Sequence, residues 1–160
     1  MTIPYERQIH PSITNKFNSL IDLYGRENIA ILSNSVGSKE DKGYKEATII
    51  EEALGIKVIR HVNKKPEVNE DVLVHFGTKE PSSIAMIGDR ILSDCVMGNT
   101  HGYFTIYCEP FDTSPENFMV KLMRKVERNI IPLIAPSVPV EHVVIDKLKD
   151  NNKSILDLIN

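Results

Sequence analysis

Ile29-Ala-Ile-Leu-Ser-Asn-Ser-Val-Gly-Ser38 is the stretch on which the fold turns. Ile29 to Leu32 is a short apolar run, which reads as a strand buried on both faces of a parallel sheet. Ser33 to Ser38 is polar and holds a glycine, so the strand runs directly into a loop. The same unit recurs along the chain. Ile56 to Arg60 reads as a second strand, Ser83 to Ile87 as a third and Tyr103 to Tyr107 as a fourth.

Helices separate these strands. Asp41 to Leu54 is closed by Gly55, Glu67 to Phe76 is closed by Gly77, and Arg90 to Gly98 opens after Gly88-Asp89. Upstream, Ile13, Phe17, Leu20, Ile21 and Tyr24 recur at helical spacing and stop at Gly25. Downstream, Pro115 to Arg128 is a helix with Phe118, Leu122 and Val126 on one face and a basic opposite face of Lys121, Arg124, Lys125 and Arg128. Strands alternating with helices predict an α/β fold whose mainly parallel sheet is covered on both sides. The pattern weakens after Arg128, and Pro132, Pro136 and Pro139 read as a linker. A domain over residues 1–130 and a carboxy-terminal extension over 131–160 are therefore expected.

Composition narrows the class. The chain has 160 residues, 41% hydrophobic and 26% charged, with a net charge of -3, which suits one globular domain. That charge gives no global reason to expect a nucleic-acid partner. Cys95 and Cys108 form neither a metal-ligand cluster nor a disulfide framework, so a reducing compartment is expected. No apolar run approaches the roughly 20 residues that span a bilayer, and nothing near Met1 reads as a targeting segment.

In parallel folds, ligands bind beyond the carboxyl ends of the strands. Three polar loops fall there: Ser33-Asn34, His61 to Lys65 and Gly88-Asp89. Each has an ordinary use alone. Ser and Asn suit turns, Asp89 suits a helix cap, and Lys65 and Asp94 suit a solvated surface. Together they make a phosphoryl-transfer site. The hydroxyl and amide can hold phosphate oxygens, the lysine offsets charge, and the carboxylates offer hard oxygens to Mg²⁺.

These same residues carry a family resemblance. Ile29 to Ser38, Lys64-Lys-Pro66 and Ile87-Gly-Asp-Arg-Ile-Leu-Ser-Asp94 resemble the second, third and fourth motifs of haloacid-dehalogenase-like (HAD) phosphatases of subclass III. Asp41-Lys-Gly-Tyr-Lys-Glu-Ala47 and Gly55-Ile-Lys-Val-Ile-Arg-His61 narrow the likeness to the mitochondrial phosphatidylglycerophosphate phosphatases of eukaryotes, over about residues 3 to 128. The resemblance implies a three-layer α/β/α sandwich, a Mg²⁺ cofactor and hydrolysis of a phospholipid phosphomonoester. The product would be phosphatidylglycerol on the route to cardiolipin, at the matrix side of the inner membrane, with peripheral membrane contact through the basic helix face.

By position, the resemblance gives Ser33 the transferring phosphoryl group, with Asn34 beside it. Lys65 becomes the lysine that steadies phosphate and nucleophile, and Asp89 becomes the Mg²⁺ ligand. Asp94 would support that ion or orient Lys65. Arg90 and His61 would have structural or substrate-positioning roles. One departure matters. The family opens with a strand ending in D-x-D, which supplies nucleophile and general acid. Met1-Thr-Ile-Pro-Tyr5 resembles the segment immediately downstream of that motif. The first, catalytic strand is thus expected to be missing from this chain, leaving a split sheet with two unpaired edges. Three readings are open: a truncated phosphatase, an inactive HAD-like binding module, or a chain whose tail strand Val140 to Asp146 offers Asp146 as substitute nucleophile.

Overall fold

The computed structural model describes residues 9–110 and 118–134. The strands and helices expected from the sequence appear in order, with shifted ends. Helix α1 spans Pro11–Tyr24 and is stopped by Gly25 at φ 80. Strand β1 is Ala30–Ile31, α2 is Lys45–Leu54 and β2 is Lys57–Val58. Helix α3 is Asn69–Phe76 and strand β3 is Ala85–Gly88. A π-helical turn, Ile91–Cys95, leads into α4, Val96–His101, then β4, Phe104–Tyr107, and α5, Phe118–Ile134.

The strands pair in parallel, β1 with β2 and β3 with β4, each pair joined by a helical crossover. Among the described residues no ladder joins the two pairs, so the sheet is in two halves. Ala30 aligns with Lys57 and Ile31 with Val58; Ala85 to Gly88 align with Phe104 to Tyr107. One apolar core nevertheless serves both halves. Ile59, Val68, Val72, Ile84, Met86, Met97 and Tyr103 are buried together, with Ala30 and Leu32 packed against them. Among the described residues, side-chain contacts rather than a continuous ladder link the two halves.

Three elements differ from the sequence expectation. The helix expected from Asp41 begins at Lys45, because Asp41 is spent as a cap: its carboxylate accepts from the backbone N–H groups of Gly37, Glu46 and Ala47 at 3.1, 3.0 and 2.9 Å. The helix expected from Arg90 opens instead as a π turn, in which the amides of Asp94 and Cys95 both reach the Arg90 carbonyl. The last helix continues past Arg128 to Ile134. Residues 135–160 lie outside the described residues, and with them Asp146.

Helix α5 is also turned the other way from an ordinary surface helix. Phe118, Met119, Leu122, Met123 and Val126 are exposed, whereas Glu127 is 3% exposed. Arg124 is largely covered, with a side-chain exposure of 13%. The apolar stripe faces out and an Arg–Glu stripe faces the body, because charged partners wait there.

Candidate active site

The loop after β1 is a tight polar turn. Ser33 Oγ accepts the N–H groups of Ser35 and Val36, both at 3.3 Å, as Ser does at turns. The loop after β2 is stitched to it. The amide of Lys65 donates to Asn34 Oδ1 at 2.9 Å, and the amide of His61 donates to the Gly37 carbonyl at 2.9 Å. The His61 ring is 2% exposed, and its nitrogens lie against the carbonyl oxygens of Ser33, at 2.7 Å, and Asn63. Gly37 allows this approach: at φ 78, a Cβ there would stand 2.6 Å from the Ile59 carbonyl oxygen.

At the centre lies an ion pair. Lys65 Nζ is 2.5 Å from Asp94 Oδ1 and 3.0 Å from the Leu32 carbonyl oxygen, with side-chain exposures of 10% for Lys65 and 6% for Asp94. The second oxygen of Asp94 accepts the Arg90 amide at 3.1 Å. Of the two uses that the resemblance allows Asp94, its contacts fit the orienting of Lys65, because both oxygens are committed. The ammonium has three donors and these two bonds use two, so one remains to be aimed at a ligand. The Lys65–Pro66 peptide bond is cis.

Asp89, just after β3, has a different setting. Its side chain is 39% exposed. Arg124 reaches it from α5 with both guanidinium nitrogens, Nη2 to Oδ2 at 2.5 Å and Nη1 to the Asp89 carbonyl at 2.9 Å. Glu127, one turn on, accepts the Leu92 amide at 3.4 Å and stands 3.8 Å from Arg90 Nε. Arg90 Nε and Ser93 Oγ are buried with no hydrogen-bond partner among the described residues. Asp89, Ile91, Tyr107, Glu109, Pro110, Arg124 and Glu127 line a cleft of about 420 Å³.

The fit of a divalent ion can be judged from this cleft. Among the described residues no three His, Cys, Asp or Glu side chains converge, so no all-protein cage exists there. Mg²⁺ asks for less, holding to one or two carboxylates and keeping waters or phosphate oxygens for the rest. Asp89 meets that demand: a half-exposed carboxylate in a cleft, already drawing one positive group. Burial pushes the Cys95 thiol up, and the Asp94 and Glu127 carboxylates push it further; burial likewise raises Cys108.

The structure thus gathers Ser33, Asn34, Lys65 and Asp94 around one seam, and sets Asp89 and Arg90 on the adjoining β3 loop. Arg124 and Glu127 are not legible from sequence as site residues, since a basic helix face ordinarily points to water. One signal is present: Glu127 is the only acid in the α5 sequence and lies three residues from Arg124, so the two share a face.

Comparison with known proteins gives the family. The family model described as mitochondrial PGP phosphatase matches residues 1–111. The chain belongs to that family. It is 36% identical over 129 residues to the chloroplastic phosphatidylglycerophosphate phosphatase 1 of Chlamydomonas reinhardtii, covering 79% of this chain and 47% of that protein. It is 33% identical over 162 residues to the chloroplastic/mitochondrial phosphatidylglycerophosphate phosphatase 1 of Arabidopsis thaliana, covering 99% and 46%. It is 31% identical over 111 residues to the mitochondrial phosphatidylglycerophosphatase of Saccharomyces cerevisiae, covering 67% and 60%. The chain therefore spans about half of the two plant and algal relatives and three fifths of the yeast one. No solved structure matches.

Proposed function

We propose that the chain carries the phosphate-handling part of a Mg²⁺-dependent phosphatidylglycerophosphate phosphatase, built on an HAD-like sandwich. The observation that carries the proposal is the buried Lys65–Asp94 pair at the meeting of three strand-end loops. The resemblance to HAD phosphatases gives a lysine there the task of steadying the phosphate. Relatives named as phosphatidylglycerophosphatases supply the substrate, and relatives named mitochondrial supply the location. The product, phosphatidylglycerol, would feed cardiolipin synthesis.

The residues divide the work by charge. Asn34 fixes the Lys65 backbone while Asp94 and the Leu32 carbonyl fix its ammonium, so the positive charge is in place before substrate arrives. The Ser33 hydroxyl, at the head of its turn, is placed to donate to a phosphoryl oxygen. Asp89 would hold Mg²⁺, which when bound neutralises phosphate charge. Arg90, whose Nε stands 3.8 Å from Glu127, would tie the β3 loop to α5 beside the cleft.

A second reading has a specific observation behind it. Among the described residues, Asp94 is the sole carboxylate paired with Lys65, and it is committed to that pairing. A scaffold that binds an anionic phosphate group without turning it over would look the same. The 160-residue chain assayed for Mg²⁺-dependent phosphate release from phosphatidylglycerophosphate separates the two. Turnover abolished by Asp89→Asn supports the enzyme, and turnover that survives this change counts against it. Loss of turnover in Asp146→Asn would assign the nucleophile to the tail. Phosphate binding with no turnover supports the scaffold.

A further inference from the structure

The loop after β2 holds two lysines side by side in the chain and gives them different surroundings. Lys65 turns into the seam, with 10% of its side chain exposed, whereas Lys64 stands in water, with 53% exposed. The backbone before, at and after Lys64 is held in place. The Asn63 carbonyl meets the His61 ring, the Lys64 carbonyl accepts the Glu67 amide at 2.9 Å, and the Lys65 amide donates to Asn34 at 2.9 Å. The Lys64 ammonium pairs with Glu40, which belongs to the segment after β1 and is itself 60% exposed. That pair links the same two loops as the bond between Asn34 and Lys65.

We propose that Lys64 is a specificity-determining residue, which takes the phosphodiester of the substrate while Lys65 holds the phosphomonoester. The inference rests on the phosphatidylglycerophosphate reading of the site. That substrate carries two phosphates a glycerol apart: a terminal monoester, which is cleaved, and a diester that leads to the lipid chains. Recognising both takes two cations at a short, fixed separation. Lys64 and Lys65 meet that need, since their Cα atoms are about 3.8 Å apart and their ammonium groups go to different partners. Arg60 and Arg124 are committed elsewhere. Arg60 is held by both oxygens of Glu51, at 2.9 and 3.1 Å, and Arg124 by Asp89. Lys64 is held by an exposed carboxylate, and pairs of that kind are weak enough for a phosphate to displace.

The two neighbouring lysines then do different work. Lys65 acts on the phosphoryl group that is transferred. Lys64 acts on a group that the reaction leaves unchanged, so it contributes to binding and to the choice of substrate rather than to the chemical step. A phosphomonoester with no diester gains nothing from it. Glu40 holds the ammonium toward the segment after β1 until the diester takes its place, one anion exchanged for another with no proton moved. A plain surface ion pair, by contrast, has no influence on which phosphate ester binds.

The test is calorimetric titration of the 160-residue chain in Mg²⁺ with two soluble probes. One is the analogue of glycerol 3-phosphate, a monoester alone, and the other is the analogue of the deacylated substrate, which adds the diester. Each carries a methylene in place of the ester oxygen at the bond to be cleaved, so turnover cannot intervene. The parent is expected to bind the second probe about fivefold tighter than the first, as one exposed charge contact allows. Lys64→Ala should abolish that advantage and leave binding of the first probe unchanged, while Lys64→Arg should keep most of it. Lys39→Ala, which removes a charge from an exposed position next to Glu40, should change neither. An equal loss for both probes in Lys64→Ala overturns the inference. So does a loss in Lys39→Ala as large as that in Lys64→Ala, since net charge would then suffice. Binding of the first probe with no preference for the second defeats the inference alone, whereas binding of neither defeats the phosphate reading of the site as well.

Discussion

The two halves of the candidate site are secured by different physics. Behind Lys65, the loops after β1 and β2 are joined mainly through backbone groups: His61 to Gly37, Lys65 to Asn34, and the His61 ring between two carbonyls. In front, the loop after β3 is held by ions, with Arg124 on Asp89 and Glu127 beside Arg90. Bonds to neutral partners do not respond to salt, whereas an ion pair with one half-exposed partner, as Arg124–Asp89 is, responds in part. The side proposed to hold phosphate is therefore a fixed platform, and the side proposed to hold Mg²⁺ is one whose charges can be exchanged. That suits a site in which one cation must be replaced by another.

The largest effect should come at the joint between the halves. Asp94→Ala leaves the buried Lys65 ammonium unpaired and is expected to cost about 3 kcal/mol or more in urea unfolding. Lys65→Met combined with Asp94→Leu should cost less than Asp94→Ala alone. Equal losses would mean that the pair is not the joint. Asn34→Ala should cost about 1.5 kcal/mol, equally at low and high salt, because it orphans the Lys65 amide. Arg124→Ala should cost about 1 kcal/mol at low salt and little at high salt, its partner being half exposed. If those two salt dependences were exchanged, the contrast between platform and ion-held loop would fail.

The smallest effect concerns pH. Burial pushes the Asp41 carboxyl up, but the Gly37, Ala47 and Glu46 amides and nearby Arg60 together hold it below the usual aspartate range. A lowered pKa adds stability above the unfolded-state value and loses it as pH falls through the folded one. Asp41→Asn should therefore cost about 0.5–1 kcal/mol at neutral pH, with the gap closing in acid below the ordinary aspartate range. Thermal melts at two pH values check this.

The α/β order and the meeting of the strand-end loops are legible in the sequence because both rest on local signals. Apolar runs ending in the Ser33, Lys65 and Asp89 loops need no knowledge of distant partners. The start of α2 is misplaced from sequence because Asp41 looks like a helix residue until its carboxylate is seen gathering three amides. The orientation of α5 is hidden for a related reason. Hydrophobic periodicity marks two faces of a helix but not which one is covered, and that is decided by Asp89 and Leu92, some 35 residues away in the chain. Asp146 falls outside the described residues and awaits the turnover assay.

Gly88 sets how far this site tolerates change. A Cβ at residue 88 would lie 2.3 Å from Asp94 Oδ2 and 2.4 Å from the Asp94 Cβ. Any side chain there evicts the carboxylate, and the lysine loses its anchor. In a saturation scan, position 88 should tolerate as few substitutions as Lys65 itself. A residue with no functional group would then score as if it had one, and its intolerance would report the space that another residue's carboxylate must occupy.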